Sequence, residues 1–320
     1  MDDMKGRLPM THPFPFLAAH AAPCPAGLLA RAQALPAPKV ALVNAGSVNP
    51  LQGIREATDL GLADPVLIGD TDKIRQTADQ IGWDIRPYRI EHAPHAEAAP
   101  RAAALARDGA VDSIMKGQVH TSTFLKGLLP SAAGLREKGT RCGHVFHITR
   151  EGSERPLFLT DAALNVDPDL DTRKACLSHA VSLAQLLGNP HPKAGILSPT
   201  EDPIPSIPNT MEAAAIAAWA KDALPQATVQ GPMALDLIFS KAAAEAKNYA
   251  SDVAGDADIM LVPNITSGNA LFKLMVLGMG CCAGGLLMGL KVPVLLTSRS
   301  QQAPARICSA ALGAIVAAAR

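Results

Sequence analysis

A chain of 320 residues with 48% hydrophobic but only 3% aromatic content must build its core from Ala, Leu, Val and Ile, and its length calls for one large or two smaller α/β units, with two the working number. Lysine plus arginine equals aspartate plus glutamate at 29 each, which removes any global electrostatic case for nucleic-acid or membrane partners and leaves an anionic substrate to be held locally. The six cysteines, Cys24, Cys142, Cys176, Cys281, Cys282 and Cys308, form no CxxC pair and fit a reducing cytoplasm, and no apolar run reaches the roughly 18 residues of a membrane span.

The first 25 or so residues carry two acids directly after Met1 and are broken by prolines, without a continuous apolar stretch of signal-peptide length, so they are expected to form an extension. From Pro38 the chain alternates short β-type runs with helical segments: "KVALVNAG", "PLQGIREATDLGLA", "PVLIGD", "TDKIRQTADQIG", "WDIRPYRI", a helix opening near Pro100, the strand "VDSIM" and a helix around "TSTFLKGLL". This rhythm predicts a largely parallel sheet covered by helices on both faces. It changes at Arg141, where "RCGHVFHIT" and "PLFLTD" flank the polar turn "REGSERP" and predict an antiparallel pair.

The alternation then resumes with a helix over 171–187, "KAGILS", a helix opening at Asn209 with a capping-box-like Glu212, "ATVQG", a helix over 233–247, and "ADIMLVP". The expected first domain comprises 1–138 and 289–320, with 1–25 as its extension, and the second comprises 139–288. The last strand and helix would return to the first domain, placing the segment between them beside the interdomain cleft.

That segment is informative. "KVPVLLTSRS" ends a buried strand in Thr297, Ser298, Arg299 and Ser300 just before a helix, a junction suited either to an anion site or to a simple helix cap. A second such junction, "MKGQVHTSTFLKG", carries Lys116, His120, Thr121, Ser122 and Lys126; "LVPNITSGNALFK" and the Pro-rich "LSPTEDPIPSIPN" end two further strands. Four polar strand ends suggest a shared crevice. "GMGCCAGG" matches GxGxxA but lacks the preceding strand and following acid of a dinucleotide site. Strand alternation puts Cys142 and His144 on one face and His147 on the other, which favours structural roles over a metal site.

Taken in order, "MKGQVHTSTFLKGLL", "LFLTDAALNVDPDL", "GPMALDLIFSKAA", "SDVAGDADIMLVPNITSGNALFK" and "KVPVLLTSRS" resemble the phosphate acetyl/butyryltransferases, especially the short butyryltransferases and the acyltransferase half of enzymes fused to an enoyl-CoA hydratase. The resemblance runs from about Cys24 to the carboxyl terminus. It implies two α/β domains of the isocitrate/isopropylmalate dehydrogenase type with the site in the cleft, and a cytoplasmic homodimer. The implied reaction is acyl-CoA plus phosphate giving acyl phosphate plus CoA, with acetyl-CoA the first expectation and butyryl-CoA the alternative. No metal or cofactor is expected.

The resemblance assigns catalysis to Ser298 and Arg299: Arg299 would hold phosphate and Ser298 would bond the thioester or its departing sulfur. Lys116, His120, Thr121, Lys126, Arg141, Asp161, Asn269 and Thr297 are the further candidates for substrate contact. Three positions depart from the family pattern. Lys126 stands where Arg is usual, Asn264 stands for an Asp, and "SQQAPAR" lacks the acid that follows Ser-Arg in acetyltransferases, so no general base is assigned there. The competing readings are a catalytically silent CoA-binding protein and a metal- and NAD-dependent decarboxylating dehydrogenase of the same fold.

Overall fold

The fold is given by a computed structural model that describes residues 15–136, 139–296 and 303–320. After α1 (Ala26–Gln33) come β1 (Lys39–Val43), α2 (Val48–Asp59), β2 (Asp64–Gly69), α3 (Thr71–Gln80), β3 (Arg89–His92), α4 (Ala98–Arg107), β4 (Ser113–Lys116) and α5 (Thr121–Leu128). Local chemistry sets these boundaries. Asp70, for example, starts α3 by accepting from the backbone N–H groups of Asp72 and Lys73, the expected work of an N-cap carboxylate.

The second half contains β5 (Gly143–Thr149), β6 (Leu157–Thr160), α6 (Leu170–Leu186), β7 (Lys193–Leu197), α7 (Pro208–Ala223), β8 (Thr228–Met233), α8 (Leu235–Phe239), α9 (Lys241–Ala246), β9 (Ile259–Leu261), α10 (Ile265–Lys273), β10 (Cys282–Met288), β11 (Val294–Leu295) and α11 (Ala303–Ala318). Three local expectations are corrected. The helix expected over 233–247 is two helices, because Ser240 is extended and caps α9 through its hydroxyl. Asn209 is the second residue of α7 rather than its cap, accepting from the Ser198 hydroxyl, while Glu212 pairs with Arg173. "CAGGLLM" is a buried strand, β10, which the sequence reading did not identify.

Among the described residues the strands form one sheet in the order β3-β2-β1-β4-β11-β10-β5-β6-β9-β7-β8. β1 to β4 and β11 run parallel to one another, as do β6 to β9. The pairs β11·β10, β10·β5 and β5·β6 are antiparallel, the last being the hairpin expected from "REGSERP". Three reversals therefore separate β11 from β6, and the two parallel sets point in opposite directions.

The two faces of the sheet are packed differently. One carries a continuous core that includes Leu51, Ile74, Cys176, Ile216, Leu286, Leu295 and Leu312. The other carries two separate clusters, one with Phe124, Leu128, Leu287 and Val294, the other with Phe146, Leu159, Leu237, Met260 and Ala283. A seam between them thus crosses β10 and β5. The amino-terminal segment docks on the structure: Ala18 N–H donates to Leu277 O, Ala22 N–H to Gly280 O, and the Glu154 carboxylate receives the Ala26 and Gly27 N–H groups that open α1.

Two buried histidines on β5 set an acid limit. Burial pushes His144 and His147 each down to about 4 from the usual 6.5. Between those values the unfolded chain binds protons that the folded protein refuses, so stability falls as pH drops from about 6.5 towards 4, by on the order of 3 kcal/mol per histidine. The urea midpoint should therefore decline over that window, and His147→Phe should flatten the decline; a wild-type midpoint unchanged from pH 7 to 5 would contradict it.

Candidate functional site

Lys116 closes β4 and is only 5% exposed. Strand alternation puts its side chain with Ile114 on the face that carries the seam. The next residue must be glycine for a steric reason: a Cβ on Gly117 would stand 2.2 Å from Val43 O, while its N–H donates to that same carbonyl at 2.9 Å. The turn leads to His120, the N-cap position of α5, and to Thr121, its first residue. Both are exposed, and free N–H groups at a helix start favour an anion. Lys126 is exposed in the last turn of α5.

One row of the sheet runs Met115, Leu295, Leu286, Val145, Thr160. Lys116 lies one residue beyond it in one direction and Asp161 one residue beyond it in the other, four strand spacings or about 19 Å apart across the sheet. The strand-end loops therefore leave from opposite edges, which corrects the expectation that all of them open into one crevice. Lys116, His120 and Thr121 belong to the edge reached by β11; Asp161, Arg141 and Asn269 belong to the other.

At that second edge the polar groups hold one another. Asp161 is 3% exposed, and its carboxylate accepts from the N–H groups of His144, Ala163, Leu164 and Asn165 and from Asn165 Nδ2. Arg141 spans Asp169 (3.0 and 3.1 Å) and the Thr172 hydroxyl (2.8 Å) at the start of α6. Asn269 Nδ2 donates to Ala162 O. Asn264 caps α10 through the Ser267 N–H, a task that Asn performs as well as Asp. Thr297, Ser298 and Arg299 lie outside the described residues.

A group that the sequence reading set aside stands out on the seam. His144 is fully enclosed, and neither ring nitrogen has a hydrogen-bond partner among the described residues. Its ring meets Phe146 edge-on with centroids 4.3 Å apart and fills the space beside Gly285, where a Cβ would be 2.6 Å from its Cε1. Alternation along "GHVFHIT" had marked its face; its lack of a partner had no sequence signal.

The comparisons with known proteins agree with the strand-end motifs. Residues 91–314 match the model of the phosphate acetyl/butaryl transferase family. The chain belongs to that family. It is similar to the phosphate butyryltransferase of Clostridium acetobutylicum, 37% identical over 87% of this chain and 93% of that one. It is equally similar to the phosphate acetyltransferase of Rhizobium meliloti, 37% identical over 84% and 86%. The solved branched-chain phosphotransacylase of Enterococcus faecalis V583 superposes with a TM-score of 0.75 at 30% identity, covering 87% of this chain and 98% of that one.

As a member of this acyltransferase family the protein is a phosphate acyltransferase. The 4-hydroxythreonine-4-phosphate dehydrogenase of Klebsiella pneumoniae shares the fold more distantly, at a TM-score of 0.54 and 13% identity over 88% of this chain. Among the described residues no helix is long and apolar enough to cross a membrane.

Proposed function

We propose that this phosphate acyltransferase converts acyl-CoA and inorganic phosphate to acyl phosphate and CoA, in the cytoplasm, by direct attack of bound phosphate on the thioester, with acetyl-CoA as the preferred donor and butyryl-CoA as the alternative. The observation that carries the reading is the family match extending across both strand-end motifs, Lys116 to Lys126 and Lys291 to Ser300. Arg299 and Lys126 orient phosphate, Ser298 bonds the reacting thioester, and Lys116, His120, Thr121 and Thr297 complete the anion contacts. Phosphate near neutral pH is already largely dianionic, by comparison with esters of second pKa about 6, and a thiolate of pKa near 8.5 leaves readily, so positioning and charge can supply most of the catalysis. No metal or cofactor is needed beyond the two substrates.

The parallel sets on either side of β10 and β5 are the cores of the two domains, 1–138 with 289–320 and 139–288, and the protein works as a homodimer. The exposed apolar side chains of Phe16, Leu17, Leu274, Leu277 and Met279 lie on segments joined by the Ala18 to Leu277 hydrogen bond, and a second copy of the chain would cover such a patch.

The test is CoA release from acetyl-, propionyl- and butyryl-CoA with and without phosphate, with the sample's mass in solution measured alongside. Phosphate-dependent release, unchanged in chelator, is expected. A strict need for a divalent metal and NAD would transfer the assignment to the dehydrogenase reading, and binding without turnover would leave a silent CoA-binding protein.

A further inference from the structure

His144 combines three properties. It sits where the two apolar clusters of one sheet face meet, opposite Leu287 on β10. Its backbone is tied on both sides, the N–H to Asp161 Oδ2 and the C=O to the Thr160 hydroxyl. Its ring nevertheless has one N–H donor and one lone pair that bond to nothing among the described residues. Leaving a buried polar group unmade costs about 1–3 kcal/mol, and burial keeps this imidazole neutral near pH 7. The hydroxyls of Ser113 and Thr149 also lack partners among the described residues, but alternation with Met115 and with His147 puts them on the opposite face.

We propose that His144 donates a hydrogen bond from its neutral imidazole to the thioester carbonyl oxygen of the acyl donor. This inference rests on the acyltransferase reading above. The surroundings select a carbonyl over phosphate: Phe146, Leu287 and the bare backbone of Gly285 offer a dianion no compensation for lost water, whereas a thioester carbonyl arrives neutral. The cation Lys116 is on the same face, two strand spacings or about 10 Å from Gly285, a separation on the scale of a phosphate and an acyl group side by side. An acyl group would reach the enclosed ring only by parting the two clusters along their seam.

In the reaction a phosphate oxygen forms a bond to the carbonyl carbon, electron density moves onto the carbonyl oxygen, and the tetrahedral species collapses with loss of the C–S bond. The electron pair leaves with the CoA thiolate. His144 keeps its proton throughout, so its bond strengthens as charge develops, which makes it an aid to kcat rather than to ground-state binding.

The test uses His144→Phe and His144→Gln with acetyl- and butyryl-CoA. Removing an unpaired polar group from an apolar site should leave Tm of His144→Phe at or above the wild-type value, while kcat falls by a factor on the order of 10² and phosphate KM stays within about twofold. His144→Gln, which retains an N–H donor, should recover at least about tenfold of that loss. A second measurement needs no variant. In wild-type protein carrying ¹⁵N-histidine, an acyl-CoA analogue with a ketone in place of the thioester should shift the His144 imidazole resonance, and a thioether analogue without the carbonyl should not. A folded His144→Phe with wild-type kcat, losses of kcat that follow Tm equally in both variants, or identical spectra with the two analogues would each overturn the proposal. Wild-type protein without phosphate-dependent CoA release would instead remove the acyltransferase reading beneath it.

Discussion

Replacing Arg299 by alanine is expected to lower kcat/KM for phosphate by a factor on the order of 10² or more with no loss of fold, the scale expected for removing an oriented charge from a water-poor site. The residue follows the buried end of β11 and precedes α11, and a guanidinium fork is suited to bidentate phosphate contact. Ser298→Ala should lower kcat with a smaller effect on phosphate KM, since its proposed partner is the thioester. Steady-state kinetics in phosphate and in acyl-CoA separate the two. If both variants are folded and retain wild-type constants for every active acyl donor, the pair only caps α11.

Asp161→Ala should act on the fold instead, lowering stability by about 4 kcal/mol or more. Its carboxylate is the acceptor for four backbone N–H groups and one side-chain amide, and each buried donor left unpaired costs about 1–3 kcal/mol. Against a typical total of about 5–15 kcal/mol, that loss brings the protein close to unfolding. Asp161→Asn should fall between, because it keeps one acceptor oxygen but turns an NH₂ towards donors. Urea titration reads both. An unchanged midpoint for Asp161→Ala, together with a raised phosphate KM, would restore Asp161 as a substrate contact.

This pair of residues shows where the sequence was informative. "KVPVLLTSRS" and "LFLTDAALN" read alike, a buried strand ending in polar residues, yet β11 and β6 run in opposite directions, which local pattern does not encode. The hairpin was legible because "REGSERP" separates two apolar runs by a polar turn. β10 was not, because "CCAGGLLMG" lacks β-branched residues and follows a helix-like run. Its glycines are there for contacts across the fold: a Cβ on Gly284 would lie 2.7 Å from Cys308 Sγ on α11, and one on Gly285 would strike His144. Likewise Asn209 and Glu212 have cap-like spacing, but Ser198 and Arg173 claim their side chains. Tertiary partners decided each case against a local rule.

The position of β10 and β11 between β4 and β5 has a consequence for synthesis on the ribosome. Residues 282–295 supply the middle of the sheet, and α11 covers one face of it. A nascent chain that has emerged through β9 therefore holds two strand sets with unpaired inner edges and no strands to join them. Such edges invite pairing with other chains, so the cell must keep two unfinished halves apart until β10, β11 and α11 arrive.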